Sequence, residues 1–207
     1  MADLRVQLLA VGKSFGARQL FAGINTAVSS GECLSIVGAN GSGKSTLLKL
    51  IAGLVRPSSG RVEITADGSL LDAEQRITMM GLVSPEMIFY HPLSAYENIR
   101  FFLTAQAREL SPAAIREHLD NVGLKSQATK PVGFFSTGMK QRLKFALLLA
   151  LDPPLLLLDE PASNLDTDGK QMVAAFISSA LAAKKTVIIA SNESWETEYG
   201  TQTIILS

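Results

Sequence analysis

Gly38-Ala39-Asn40-Gly41-Ser42-Gly43-Lys44-Ser45-Thr46 has the spacing G-x-x-x-x-G-K-[ST] of a phosphate-binding loop, and the residues around it decide how the chain folds. Residues 33–37, Cys-Leu-Ser-Ile-Val, are apolar enough for a buried strand, and residues 47–54 carry apolar side chains at helical spacing. Strand, glycine loop and helix together form the setting in which this motif binds a nucleotide. The glycines let the backbone curl with its N–H groups inward, so that they and the helix N-terminus face the phosphates. Lys44 then reaches the β- and γ-phosphates, and the Ser45 hydroxyl takes a place on Mg²⁺.

Composition bounds the rest. The 207 residues are 47% hydrophobic and 18% charged, enough for one domain with a sizeable core. Lys plus Arg and Asp plus Glu each number 19, so there is no global basic field to attract nucleic acid. The single cysteine, Cys33, sits in the apolar run before the loop and reads as a small buried core residue. Residues 1–5 lack the basic start and apolar core of a signal peptide, and the longest apolar region, 145–158, is interrupted by Asp152-Pro153-Pro154. The expectation is a cytoplasmic chain that reaches a membrane only through a partner.

Along the chain, residues 4–11 and 24–28 read as short strands, with Gly12, Gly16 and Ser29-Ser30-Gly31 as turns and Phe15 in the first connection. Strands are expected at 61–64 and 77–83, the latter closed by Ser84-Pro85. Ser94-Ala95-Tyr96-Glu97 is a capping box opening a helix to about residue 109, and Ser111-Pro112 opens another. Residues 92–150 therefore read as a helical insertion, with Phe101, Phe102 and Leu103 as its core. Strands follow at 155–158, 186–190 and 203–206, and a helix at 167–182. Alternation of strands and helices around a phosphate loop predicts an α/β fold with a largely parallel sheet, in which 1–91 and 151–207 form the core.

The apolar run 155–158 ends in Asp159-Glu160, two carboxylates at the C-terminal edge of a buried strand, where α/β sheets present their ligands. Beside the phosphate loop, Asp159 would hold Mg²⁺ and Glu160 would polarise the attacking water.

Phe135-Ser136-Thr137-Gly138-Met139-Lys140-Gln141-Arg142 precedes this strand and resembles the signature loop of the ATP-binding-cassette ATPases, whose usual form is LSGGQ. Phe15 matches the family's adenine-stacking aromatic, and Ser163-Asn164-Leu165-Asp166 matches the loop after the catalytic glutamate. The resemblance runs from about residue 4 to 206 and implies a RecA-like core with an inserted helical subdomain. It also implies a head-to-tail dimer, in which the phosphate loop of one chain and Ser136 and Gly138 of another enclose each ATP. Residue chemistry agrees: Ser136, the Gly138 N–H and the helix expected from 139 form a second anion-binding end.

Two departures stand out. Ser84-Pro85-Glu86 occupies the place where the family has a glutamine that senses Mg²⁺ and faces the membrane partner. Ser191-Asn192-Glu193 occupies the place of the family's γ-phosphate histidine, so Asn192 is expected there and hydrolysis is expected to be slow. His91 and His118 read as neither ligands nor bases. The resemblance implies an ATP-hydrolysing exporter subunit with catalytic Lys44, Glu160 and Asn192. It would bind ATP and Mg²⁺ and no nucleic acid, and would sit on the inner face of the membrane through a separate transmembrane permease docking at residues 84–87, as a homodimer or heterodimer. A soluble non-transport cassette ATPase and a slow nucleotide-dependent switch stay open as alternatives.

Overall fold

The structure, a computed structural model, describes residues 3–207, so residues 1 and 2 of the stretch read for a targeting signal lie outside it. The chain divides into two units. One holds the described residues up to Ser84 with Pro153–Glu160 and Ile177–Ser207; the other holds Pro85–Asp152 and Pro161–Phe176. The segment 92–150 falls within the second unit, which also takes in residues on both sides of it.

The first unit opens with β1 (Leu4–Phe15), a turn at Gly16, and β2 (Arg18–Ser29) running antiparallel to it. Gly12 lies inside β1 and marks no turn. The pairing shifts register between Leu8 and Val11 and again before Lys13, so the two short strands expected are one long bulged ribbon. At the bulge Ala10 takes φ 50 and its N–H donates to Asn25 Oδ1 at 2.8 Å. Phe15 is therefore the last residue of a strand.

β3 (Cys33–Gly38) feeds the phosphate loop and α1 (Lys44–Ile51). β4 (Ser59–Ala66) and β5 (Ser69–Leu70) complete an antiparallel sheet in the order β2-β1-β4-β5. The next segment corrects the sequence reading: the strand expected at 77–83 is α2 (Ala73–Met79) followed by β6 (Met80–Val83). Asp72 and Gln75 form a reciprocal cap, Gln75 N–H to Asp72 Oδ1 at 2.9 Å and Asp72 N–H to Gln75 Oε1 at 3.0 Å. That pairing satisfies two amides a helix start leaves open, and it outweighs the strand preference of Ile77 and Thr78.

β7 (Leu155–Asp159), β8 (Thr186–Ala190) and β9 (Gln202–Leu206) join β3 and β6 in an all-parallel sheet, order β6-β7-β8-β3-β9. β7 and β8 are buried at every position, as strands covered on both faces must be. Leu34, Ile36, Leu155, Leu157 and Ile188 pack with Leu47 and Ile51 of α1 and with Leu4, Val6 and Ile64 of the antiparallel sheet in one core. Gln202 also ties the sheets, accepting from Thr26 Oγ1 at 2.9 Å and donating to the Ala27 carbonyl at 2.8 Å. α7 (Ser194–Thr197), a short helix before β9, was not read from the sequence.

The second unit contains α3 (Ala95–Ala105), α4 (Pro112–Asn121) and α5 (Thr137–Leu151), started by Ser94, Ser111 and Ser136 as side-chain caps. α6 (Thr167–Ala182) begins in this unit and ends in the first. Ile99, Leu103, Ile115, Leu119, Leu143 and Phe145 are buried. Of the three residues expected in this core, only Leu103 is buried. Phe101 is 42% exposed and meets Tyr90 edge to face, centroids 4.6 Å apart. Successive helical residues turn by about 100°, so three in a row cannot share one face.

No helix among the described residues is long and apolar enough to cross a membrane. No group of three or more His, Cys, Asp or Glu among them could hold a metal ion, and His91 and His118 belong to the second unit.

Cys33 is fully buried, and burial pushes its thiol up to about 12 despite a bond with Ser35. Only about one thiol in ten thousand is then ionised at pH 8. An aromatic disulfide reagent should leave Cys33 untouched in the native chain and titrate one thiol after denaturation; fast reaction of the native chain would contradict this packing.

Candidate functional site

The strand order sets the site. β7, β8 and β3 are parallel neighbours, so the residues following each of them emerge side by side at one edge of the sheet. Those residues are Asp159-Glu160, Ser191-Asn192 and the phosphate loop.

Two glycines of the loop are dictated by space. A Cβ on Gly38, whose φ is 155, would lie 2.3 Å from the Leu206 carbonyl oxygen, and one on Gly43, φ 105, would lie 3.0 Å from the Phe21 ring. α1 has no side-chain cap and no acidic residue in its first turn, which leaves its first amides for an anion. Lys44 is 5% exposed and curls over the loop, its Nζ donating to the carbonyls of Gly38 at 2.7 Å and Ala39 at 3.2 Å. Ser42 Oγ is buried without a hydrogen-bond partner among the described residues, while Ser45 and Thr46 follow on α1, Ser45 exposed and Thr46 half-buried.

Asp159 is buried at the last position of β7. Desolvation pushes its carboxyl above the usual carboxylate range, opposed first by a hydrogen bond with the Ser45 side chain; Glu160 adds to the rise, while Lys49 and Lys44 pull it down. Its Oδ1 has no hydrogen-bond partner among the described residues. A buried carboxylate oxygen beside a serine hydroxyl is a donor set for a hard cation of the Mg²⁺ type, which takes one or two protein oxygens and fills the rest with phosphate and water.

Glu160 follows, half-buried and in the left-handed region at φ 46, its N–H donating to the Ala190 carbonyl at 2.8 Å. After β8, the Ser191 N–H donates to the Ile36 carbonyl at 3.2 Å, which lays this segment along β3. Asn192 Nδ2 then donates to Asn40 Oδ1 at 2.7 Å, so a residue expected at the γ-phosphate is joined to the phosphate loop by a side chain.

Phe15 is 55% exposed, with Lys13 Nζ 4.7 Å from its ring centroid, and the same ammonium donates to the Arg56 carbonyl at 2.8 Å. One ring face is thus covered by a cation, and the exposure leaves room for a base on the other. Beside the loop lies a cleft of about 240 Å³ lined by Ala39, Asn40, Gly41 and Ser42, and by Arg18, Gln19 and Leu20 of β2 and Ser207. Phe15 is not among its lining residues. Arg18 and Gln19 were missed in the sequence because nothing in β2 announces them; only their position after Phe15 could have done so.

In the second unit Ser136 caps α5, its Oγ accepting from the Met139 N–H at 3.1 Å. A Cβ on Gly138 would come within 3.1 Å of the Asn164 carbonyl oxygen. These residues line a cleft of about 330 Å³ with Thr137, Met139, Arg142, Leu165 and Asp166. The loop after Glu160 is fastened to α5 there: Gln141 donates to the Pro161 carbonyl at 2.6 Å and Arg142 to Asp166 Oδ1 at 2.8 Å.

Comparison with known proteins finds a family match and similar chains. Residues 21–163 match the family described as ABC transporter. The chain is 32% identical over 194 residues to the Nod factor export ATP-binding protein I of Sinorhizobium fredii, covering 92% of this chain and 56% of that one. It is 37% identical over 185 residues to the cytochrome c biogenesis ATP-binding export protein CcmA of Bradyrhizobium diazoefficiens, covering 86% of each. A dimeric ATP-binding cassette solved in a post-hydrolysis state with ADP and Pi superposes with a TM-score of 0.85 at 26% identity, covering 98% of this chain and 94% of that one. The chain thus spans just over half the length of the first relative and most of the others.

Asp166 supplies a test of the fastening. The Gly169 N–H and then Arg142 hold its carboxyl below the usual carboxylate range. A carboxyl lowered in the folded state stabilises it above the unfolded pKa, about 3.9, and that contribution fades as pH falls through the lower folded value. Asp166→Ala should lower the thermal midpoint at pH 7, and the gap from the parent chain should close in acid; a gap that does not change with pH would contradict the assignment.

Proposed function

The chain belongs to the ABC transporter family, and on that premise we propose that it is the ATP-binding and ATP-hydrolysing subunit of a membrane exporter. The observation that carries the reading is the meeting of phosphate loop, Asp159-Glu160 and Asn192 at one sheet edge, in a chain whose relatives are named for export.

The residues divide the work as follows. Loop amides and the α1 N-terminus cradle the phosphates, and Lys44 exchanges the Gly38 and Ala39 carbonyls for phosphate oxygens. Phe15 stacks on the base, and the cleft at Arg18, Gln19 and Leu20 receives the sugar. Ser45 and Asp159 would hold Mg²⁺, which supplies neutralisation of the phosphate charge. Glu160 accepts a proton from the attacking water. Ser136 and Gly138 of a second chain close over the nucleotide, in line with the dimeric cassette that superposes on this chain. ATP differs from ADP by its γ-phosphate contacts, and that difference in affinity shifts the open and closed populations.

The permease is a separate transmembrane chain, and residues 84–87 are where it docks. The pair of cassettes is a homodimer or a heterodimer on the cytoplasmic face of the membrane. Ser84-Pro85-Glu86 and Asn192 make hydrolysis slow: a neutral carboxamide in place of an imidazolium forgoes a charge-assisted bond in the transition state.

Steady-state turnover tests this. In the parent chain it should rise more than linearly with protein concentration and stop when Mg²⁺ is chelated, and Glu160→Gln should lower it at least about a hundredfold. Bound ATP with turnover indifferent to Glu160→Gln would favour the nucleotide-switch reading instead. Asn192→His should raise turnover about tenfold; no gain would remove the explanation of slowness.

A further inference from the structure

Asn192 reaches the phosphate loop through one bond, from its Nδ2 to Oδ1 of Asn40, at 2.7 Å and across 152 residues of sequence. The backbone around Asn192 is already fixed. Ser191 N–H is bonded to the Ile36 carbonyl at 3.2 Å, and Glu193 N–H to Ser191 Oγ at 2.9 Å. The remaining freedom is in the Asn192 side chain, which is exposed and would otherwise sample several rotamers. The bond to Asn40 restricts that freedom. Because a carboxamide is planar, using one Nδ2 hydrogen on Asn40 also fixes the direction of the other, and Asn40 stands in the loop that cradles phosphate.

We infer that Asn40 is a positioning residue: its Oδ1 holds the Asn192 carboxamide so that the second N–H of Asn192 is presented to the terminal phosphoryl group of a bound nucleoside triphosphate. The inference rests on the nucleotide reading above and adds to it a partner for Asn192 and a way to tell tri- from diphosphate. A carboxamide, shorter than an imidazole and uncharged, gains from being held before the ligand arrives. Both members of the pair are untitratable, so the device keeps its form across the pH range in which an imidazole changes charge.

The test is binding, which does not depend on the rate of hydrolysis. Dissociation constants for ATP and ADP are measured by calorimetry on the full chain in the Glu160→Gln background, at concentrations where it stays monomeric with either nucleotide. Asn40→Ala, Asn192→Ala and the double variant are compared, with circular dichroism as the check on folding. Each single variant should lower the ratio of ADP to ATP dissociation constants about five- to tenfold, and the double variant no further. If Asn40→Ala unfolds, Asn40→Ser repeats the comparison.

Multiplicative losses, an equal loss of ATP and ADP affinity in Asn40→Ala, or an unchanged ratio would each overturn the positioning role while leaving the nucleotide site in place. Binding of neither nucleotide by the parent background would overturn the nucleotide reading, and this inference with it.

Discussion

The hydrogen bond between Ser45 and Asp159 joins the two halves of the site, the first turn of α1 and the end of a fully buried strand. A carboxylate at that depth is costly: desolvation raises its pKa, and one oxygen is left without a partner. The cost is met in part by the Ser45 hydroxyl and by Lys49 and Lys44, so the loop and the carboxylate depend on each other. An apolar residue in place of Asp159 would suit the core better. A polar, half-satisfied side chain at that depth is what the ion-holding role proposed for Asp159 requires.

The segment that follows β7 stores backbone strain. Glu160 and Asn164 both take left-handed φ, at 46 and 62, without being glycine. Each such residue costs on the order of 1 kcal/mol and persists only where its surroundings over-determine it. For Glu160 the surroundings are explicit, since its N–H is held by Ala190 at the end of β8. The two adjacent carboxylates lie at different depths, one buried and one half-exposed. Distinct environments for two neighbouring acids are what a division into ion ligand and proton acceptor requires.

What the sequence disclosed follows the range of the interactions concerned. The phosphate loop, the buried runs of β7 and β8 and the whole of α6 were legible because local spacing and unbroken hydrophobicity carry them. The kinked β1 and β2 ribbon was not, because its bulges depend on pairing across Ala10 and Asn25. α2 is masked in the sequence by the strand preference of Ile77 and Thr78, although the Asp72 and Gln75 cap that starts it is a local signal. Phe101 was misplaced because an apolar triplet was not resolved into helix faces. Asn192 was singled out by position, but its bond to Asn40 spans 152 residues and no spacing rule reaches that far.

The charge distribution of the two clefts bears on how strongly a terminal phosphate is sensed. In the second unit Arg142 lies beside the capped end of α5, yet its guanidinium is committed to Asp166 and to the Val122 carbonyl. The donors that remain there, the Ser136 hydroxyl and the helix amides, are neutral. In the first unit Asn192 is neutral too, and Lys44 is the cation held on the loop itself. Neutral donors discriminate between tri- and diphosphate by geometry more than by charge, and each contributes less than an ionic one. A nucleotide shifts a conformational equilibrium only by its differential affinity for the two states. On the function proposed above, with a carboxamide where an imidazolium would stand, the orientation of the neutral donors would carry more of that difference, and the fastening of Asn192 by Asn40 and of residues 161–166 by α5 would contribute to it.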